Sequence, residues 1–251
     1  MNYKYFILVV LVVMSQSFVH SQSADSIPKK KENKATEIIG IALPSAMITY
    51  GLISLGNNGI RKTDLKIRNS LEQNNSFWYI RADDYIQFAP AAAAYTMKFC
   101  KVESTHNLLD MTILYGLSNI LAGGIVQGTK FITQRERPDN SNFHSFPSGH
   151  TETAFVAAEF LYQEYKDKSV WIGIAGYSAA TFVGVARIYN NKHWLSDVVA
   201  GAGIGILSTK VVYWVYPHLK ERFGKKDQTL HTFIFPGYSN RNINLTLSYI
   251  F

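Results

Sequence analysis

The sequence predicts an all-α protein, a bundle of six helices followed by a short C-terminal tail that resembles a β-hairpin. The 251-residue chain is 47% hydrophobic and only 17% charged. It contains six apolar segments with few charges, and residues 230–251 alternate apolar and polar side chains. The length is sufficient for a domain with its own core. The composition excludes a disordered chain, a collagen-like repeat and a coiled coil.

The six predicted helices are apolar runs that carry few or no charges. They are residues 38–56, 85–97, 111–129, 151–163, 169–186 and 198–216. A membrane span needs about 20 apolar residues, and three of the segments approach that length. Glu152 and Glu159 lie seven residues apart on one face of the fourth segment, where a carboxylate facing lipid would be costly. They must therefore face the interior, a cavity or water, in either a membrane-embedded bundle or a soluble all-α core.

The first 21 residues have the order of a secretory signal. Lys4 precedes an apolar run, and Val19 and Ser21 fit the −3 and −1 positions of a cleavage site. An uncleaved membrane anchor is the alternative interpretation. The polar, lysine-rich residues 22–37 are predicted to be a linker.

The helical domain is predicted over residues 38–218, and residues 219–251 form a basic stretch and the β-like tail. The tail predicts a hairpin around a Pro-Gly turn and an Asn-rich loop. One face of it would carry Ile243, Leu245, Leu247 and Tyr249. The last strand of an outer-membrane barrel has a similar pattern, but a single hairpin cannot close a barrel.

The net charge of +7 suits nucleic acid, an anionic membrane surface or a phosphorylated substrate. Much of the excess lies in residues 29–34 and 220–226, and no aromatic-basic stripe repeats along the chain. We therefore expect no nucleic-acid partner. The single cysteine, Cys100, excludes an intramolecular disulfide framework and a multi-cysteine metal site.

Polar residues concentrate in three clusters at the ends of the apolar helices. In the first, Lys130 and Arg137 are seven residues apart on one helical face, and Pro138 prevents simple continuation of the helix. Two cations at such a spacing are usually a solvated helix end. Whether these two cations belong to a binding site depends on the other residues that lie near them.

The second cluster is FPSGH, residues 146–150, directly before the fourth helix. Ser148 is a good N-cap, Gly149 permits close backbone approach, and His150 falls in the first turn. The free N–H groups of a helix N-terminus can bind an anion. In the third cluster, which contains Arg187, His193 and Asp197 are spaced i, i+4 so that the carboxylate can reach the imidazole.

The three clusters in this order, K-x6-RP, PSGH and R-x5-H-x3-D, are similar to the signature of the type 2 phosphatidic acid phosphatases. That family shares its fold with bacterial class A acid phosphatases and vanadium haloperoxidases. The signature covers residues 130–197, and the helix pattern extends the resemblance over most of residues 38–217. One position departs from it, because Ala186 stands where the family commonly has serine.

The resemblance implies a role for each residue of the signature. His193 would be the nucleophile that forms a phosphohistidine, and Asp197 would hold its other ring nitrogen. His150 would protonate the leaving oxygen and later activate water. The phosphate would be bound by the side chains of Lys130, Arg137, Arg187 and Ser148 and by the N–H of Gly149. No metal and no cofactor is expected, because three fixed cations do the work that Mg²⁺ does elsewhere.

The function predicted from these residues is a metal-independent phosphatase acting on phosphate monoesters or diphosphates of membrane lipids. The alternatives are a soluble periplasmic acid phosphatase of broad specificity, a vanadate-dependent haloperoxidase, and a non-enzymatic protein on a degenerate scaffold. The intact signature argues against the last of these.

The predicted location is the cell envelope, with the chain exported, membrane-associated and its site in or facing the periplasm. The topology signals conflict. Basic residues at both ends of the bundle place both ends in the cytoplasm and the clusters outside. A cleaved signal followed by six crossings would place the clusters inside.

Overall fold

The computed structural model describes residues 34–74, 77, 81–224, 231–239 and 242–250. Nearly all described residues belong to one compact unit, which begins at Ile39. The described part contains eight helices: α1 Lys34–Ile53, α2 Gly59–Gln73, α3 Asp83–Ile86, α4 Ala89–Phe99, α5 Leu108–Thr133, α6 Gly149–Tyr165, α7 Val170–Tyr189 and α8 Leu195–Gly224. The predicted all-α domain is confirmed. The predicted signal, and the predicted linker up to residue 33, lie outside the described residues.

The predicted number of six helices is wrong, because α2 and α3 were not among the predicted elements. Helix α2 begins after Asn58, whose Oδ1 accepts hydrogen bonds from the N–H groups of Ile60 and Arg61 at 3.0 and 3.1 Å. Such a cap satisfies donors that the first helical turn leaves free. Asp64 is the buried residue of this helix, which carries both charged and apolar side chains. Helix α3 is a single turn whose buried residue is Asp83.

The six helices other than α2 and α3 run alternately up and down, which gives the bundle two ends. We call them the Ser148 end and the Glu164 end, after residues at either terminus of α6. At the Ser148 end, the Ser148 N–H donates to the Asp197 carbonyl at 3.0 Å, which joins the starts of α6 and α8. At the Glu164 end, the Thr105 N–H donates to the Glu164 carbonyl at 3.0 Å.

Helix α6 is the centre of the bundle and packs against α4, α5, α7 and α8. Two glycines let α8 lie directly on its backbone. A Cβ at Gly201 would come within 2.5 Å of the Ser148 carbonyl oxygen, and one at Gly205 within 2.6 Å of the Glu152 carbonyl oxygen. This close contact fixes the N-terminus of α6 relative to α8.

The two glutamates of α6 face the interior, as predicted. Glu152 is 4% exposed and Glu159 is fully buried. The Glu159 carboxylate accepts a hydrogen bond from Gln163 Nε2 at 2.6 Å and pairs with Lys210 Nζ at 3.0 Å. Pairing of this kind is what makes a buried carboxylate tolerable in an apolar bundle.

Three helices are long and apolar enough to cross a membrane: Leu108–Thr133, Val170–Tyr189 and Leu195–Arg222. The apolar part of α1, Ile38–Ile53, is shorter. Large apolar side chains on these helices are exposed, among them Ile120 at 72% and Trp214 at 73%. Exposed apolar surface of this kind is typical of a protein that contacts lipid. The protein is membrane-associated.

The C-terminal tail forms two antiparallel strands, β1 His231–Ser239 and β2 Asn242–Ile250. Their register runs from Ser239 opposite Asn242 to His231 opposite Ile250. The prediction of a Pro-Gly turn is wrong. Pro236 and Gly237 lie within β1, opposite Leu245 and Asn244 of β2. The residues predicted to share a face occupy alternate positions of β2.

Candidate active site

The three predicted clusters converge at the Ser148 end of the bundle. The first follows the C-terminus of α5, the second forms the N-terminus of α6, and the third connects α7 to α8. Backbone hydrogen bonds link them, since the Ser145 N–H donates to the Arg135 carbonyl and the Ser148 N–H donates to the Asp197 carbonyl, both at 3.0 Å. All eight predicted site residues therefore lie in one region.

His193 lies in the α7–α8 loop and is 2% exposed. Its Nδ1 is 2.8 Å from the carbonyl oxygen of Ser145. A carbonyl can only accept, so Nδ1 carries the proton and the lone pair is on Nε2. Burial, together with the nearby Lys130 and Arg137, lowers the pKa of His193 to about 4. The ring is therefore neutral at neutral pH, and Nε2 is free to act as a nucleophile.

Asp197 lies near His193 but is not its direct hydrogen-bond partner. Its Oδ2 is 3.6 Å from His193 Nδ1, while the Ser145 carbonyl is closer. The same Oδ2 accepts from Ser145 Oγ at 2.5 Å and from the Trp194 N–H at 2.9 Å. The expected hydrogen bond from ring to carboxylate is thus replaced by a shared partner, Ser145, which contacts both groups.

Two of the three predicted phosphate-binding cations carry buried donors without a partner. These are Nε of Arg137 and Nε of Arg187, in the part of the chain that the structure describes. Buried donors are nearly always satisfied, so these two unpaired Nε–H groups indicate where an anion fits. Burial and the nearby Arg187 lower the pKa of Arg137. A bound dianion would offset both effects, because its negative charge stabilises the charged guanidinium group.

Lys130 and Arg187 also donate hydrogen bonds to the protein, and these bonds fix the positions of their side chains. Lys130 Nζ donates to the His144 carbonyl oxygen at 2.7 Å. Arg187 Nη1 donates to Asp83 Oδ2 at 2.7 Å, and Asp83 is 1% exposed. Asp83 comes from α3, one of the two helices that the sequence patterns did not predict. It fixes the position of the Arg187 guanidinium group.

The second cluster differs in part from its predicted role. Ser148 is the N-cap residue of α6, but its hydroxyl is buried and lies 2.9 Å from Thr151 Oγ1. At Gly149 the nearest atom to an added Cβ would be Val126 Cγ1, at 4.0 Å. A Cβ at this position would therefore meet no close contact, which leaves room beside the first turn of α6. The backbone of this turn is better placed to meet an anion than the serine hydroxyl.

His150 is paired with a carboxylate at the edge of the site. Its Nε2 lies 2.9 Å from Asp84 Oδ1, and both side chains are partly exposed. Burial and the nearby Arg187 lower the pKa of His150, and Asp84 opposes them. The imidazole is therefore held near solvent, where it can exchange protons.

Five residues of the site were not predicted: Asp64, Asp83, Asp84, Arg135 and Ser145. Arg135 lies inside the first cluster, two residues before Arg137, and its position there was the available signal. The three aspartates come from α2 and α3, where the local sequence looks like solvated polar surface. No three His, Cys, Asp or Glu side chains are arranged to hold a metal ion in the described residues.

The chain is similar to known phosphatases. The sequence model of the PAP2 superfamily matches residues 111–221. The lipid A 1-phosphatase of Porphyromonas gingivalis is 38% identical over 139 residues, which are 55% of this chain and 31% of that protein. Phosphatidylglycerophosphatase B of Bacillus subtilis is 36% identical over 87 residues, 30% of this chain and 42% of that protein.

A crystal structure of Aquifex aeolicus LpxE aligns with 61% of this chain and 93% of its own, at 21% identity and a TM-score of 0.43. The chain spans only about a third of the length of the curated relatives that it matches, from 30% to 42%.

Proposed function

Because the sequence model of the PAP2 superfamily matches residues 111–221, we propose that this protein hydrolyses phosphate esters of membrane lipids, without a metal ion, through a phosphohistidine on His193. One observation carries the mechanism: a buried, neutral imidazole whose Nε2 is free lies beside arginines with unpaired buried donors. A neutral nucleophile suits a phosphate dianion, which repels anions.

The proposed reaction has two steps. His193 Nε2 attacks phosphorus while the bond from phosphorus to the ester oxygen breaks, and His150 gives its proton to the leaving oxygen. His150 then takes a proton from water, the water oxygen attacks phosphorus, and inorganic phosphate and free His193 are released. Lys130, Arg137 and Arg187 stabilise the charge on the phosphoryl oxygens in both steps.

The positions of exposed aromatic side chains support a lipid substrate. Trp171 and Trp214, 72% and 73% exposed, lie toward the Glu164 end. Along their helices they are roughly 24 and 26 Å from Arg187 and Asp197, at 1.5 Å per residue. The hydrocarbon core of a bilayer is about 30 Å thick, and tryptophans concentrate at its boundaries. This spacing supports a site at the other boundary, at the depth of lipid head groups.

The names of the relatives also support lipid phosphates, since those proteins act on lipid A and on phosphatidylglycerophosphate. The test is to purify the protein in detergent and compare short-chain phosphatidate with glucose phosphate. We expect kcat/KM to be at least about 10²-fold higher for the lipid, because acyl chains bury apolar surface on the exposed helices. Equal rates for the two substrates would favour a general acid phosphatase, and the absence of phosphate release from both would contradict the proposed function.

The site is proposed to face the periplasm, and the single cysteine offers a test. Cys100 is exposed at the end of α4, at the Glu164 end, together with the basic residues Lys220 and Arg222. The positive-inside rule places that end in the cytoplasm. In right-side-out vesicles, we therefore expect a membrane-impermeant maleimide to label Cys100 only after permeabilisation.

A matched control uses Ser141→Cys in a Cys100→Ser background, because Ser141 is exposed in the α5–α6 loop at the Ser148 end. This cysteine should label without permeabilisation. The reverse pattern would place the site in the cytoplasm, as a cleaved signal followed by six crossings would require.

A further inference from the structure

Arg135 forms a buried polar cluster directly behind the proposed nucleophile. The side chain is 8% exposed and lies just after α5. Its Nη1 donates to Asp197 Oδ1 at 2.6 Å, to Ser196 Oγ at 2.9 Å and to Ser54 Oγ at 3.1 Å. Its Nη2 donates to Asp64 Oδ2 at 2.7 Å. The guanidinium group thus bridges two buried carboxylates.

The hydrogen bonds that Asp64 makes within this cluster account for its burial. It is 1% exposed, on a helix whose other residues are mostly polar and exposed. Besides Arg135, it accepts from the N–H of Ser196 at 3.0 Å and from its hydroxyl at 2.5 Å. Burying a carboxylate is costly unless it is paired and fully hydrogen-bonded. An apolar residue here would anchor α2 to the bundle at lower cost.

The cluster reaches His193 by two routes. Through its side chain, Arg135 holds Oδ1 of Asp197, whose other oxygen faces His193. Through its backbone, the Arg135 carbonyl accepts from the Ser145 N–H at 3.0 Å. Ser145 in turn donates its hydroxyl to Asp197 and accepts the Nδ1 proton of His193. Both groups that contact the Nδ1 side of the ring are therefore held by Arg135.

We infer that Arg135, held in turn by Asp64, is a positioning residue that orients the Asp197 carboxylate against His193 without contacting the substrate. The inference rests on the proposed function. When Nε2 bonds to phosphorus, the imidazole ring becomes positively charged. An adjacent carboxylate stabilises that charge only if it stays close to the ring. Arg135 keeps Asp197 there.

A merely structural role makes a different prediction, which a double-mutant cycle separates. Arg135→Lys keeps the charge but loses the planar fork that reaches both carboxylates. If Arg135 acts through Asp197, this substitution matters only while Asp197 is a carboxylate. The cycle compares wild type, Arg135→Lys, Asp197→Asn and the double variant, with kcat measured per folded protein on the same lipid substrate.

We expect Arg135→Lys to lower kcat about 30- to 100-fold while KM changes by less than about two-fold, because the residue does not bind substrate. In the Asp197→Asn background the same substitution should change kcat by less than about three-fold. Equal effects in both backgrounds would overturn the inference. The absence of phosphate release by the wild-type protein would instead count against the proposed function.

A second variant and a control cover the case in which Arg135→Lys does not fold. Asp64→Asn has nearly the same shape and enters the same cycle, with an expected loss of about ten-fold in kcat that disappears in the Asp197→Asn background. Additive effects of Asp64→Asn would overturn the inference equally. Lys210→Gln breaks the buried pair with Glu159, farther along the bundle, and should leave kcat per folded protein unchanged.

Discussion

Replacing His193 with alanine is expected to lower phosphate release by about 10⁴-fold or more, because removal of a covalent nucleophile leaves only the background reaction. The effect should fall on kcat. The three cations that bind the phosphate remain, so KM should change little. The measurement is inorganic phosphate release from a short-chain phosphatidate by protein that elutes as a folded species in detergent.

The control for His193→Ala is His218→Ala, which removes an exposed histidine near the C-terminal end of α8. We expect wild-type turnover from it. The wild-type protein, quenched during turnover of a ³²P-labelled substrate, should also carry an acid-labile, base-stable label that His193→Ala lacks. Turnover by His193→Ala within about ten-fold of wild type would remove His193 from the mechanism.

The sequence patterns predicted the residues that converge at the candidate site, because those residues obey short-range rules. The spacing of His193 and Asp197, the PSGH turn and the two cations of the first cluster can each be read within about eight residues. The carboxylates that pair with the arginines of the site could not be predicted in this way. Asp64 and Asp83 are separated from their arginine partners by 71 and 104 residues, and only the folded bundle brings them together.

The helices were also predicted only in part, and the two that were missed were missed for a related reason. Apolar runs indicate helices whatever their partners, so the six helices other than α2 and α3 were found. Helix α2 is largely charged and its one buried residue is Asp64, and α3 is a single turn whose buried residue is Asp83, so neither forms a long apolar run. A search for such runs does not find a helix that packs through a buried ion pair. The two missed helices supply Asp64, Asp83 and Asp84 to the site.

The bond between Asp197 and His193 was expected from an i, i+4 spacing that holds only inside a helix. His193 lies before the first residue of α8, so the spacing crosses the boundary between loop and helix. The ring turns toward the Ser145 carbonyl instead. Sequence spacing therefore predicted that the two side chains are neighbours but not which atom the imidazole contacts.

Arg137→Ala is expected to lower kcat/KM by about 10³-fold, since one preorganised donor to a charged transition state contributes about 10²- to 10³-fold and this residue also carries charge. By contrast, the substitution should not lower the stability of the fold. No carboxylate is paired with the Arg137 side chain in the described residues, and its Nε is buried without a partner. Removing it deletes an unsatisfied donor and relieves repulsion with Arg187.

Arg187→Ala provides the contrast, because it leaves the buried Asp83 carboxylate without its charged partner. Loss of one member of a buried pair costs about 3–5 kcal/mol of unfolding free energy. We therefore expect both variants to lose activity, but only Arg187→Ala to lose thermal stability. Added inorganic phosphate should raise the melting temperature of the wild-type protein and raise that of Arg137→Ala much less. If Arg137→Ala unfolds as readily as Arg187→Ala, Arg137 is needed for folding, which would contradict the prediction that its side chain is left unpaired to bind an anion.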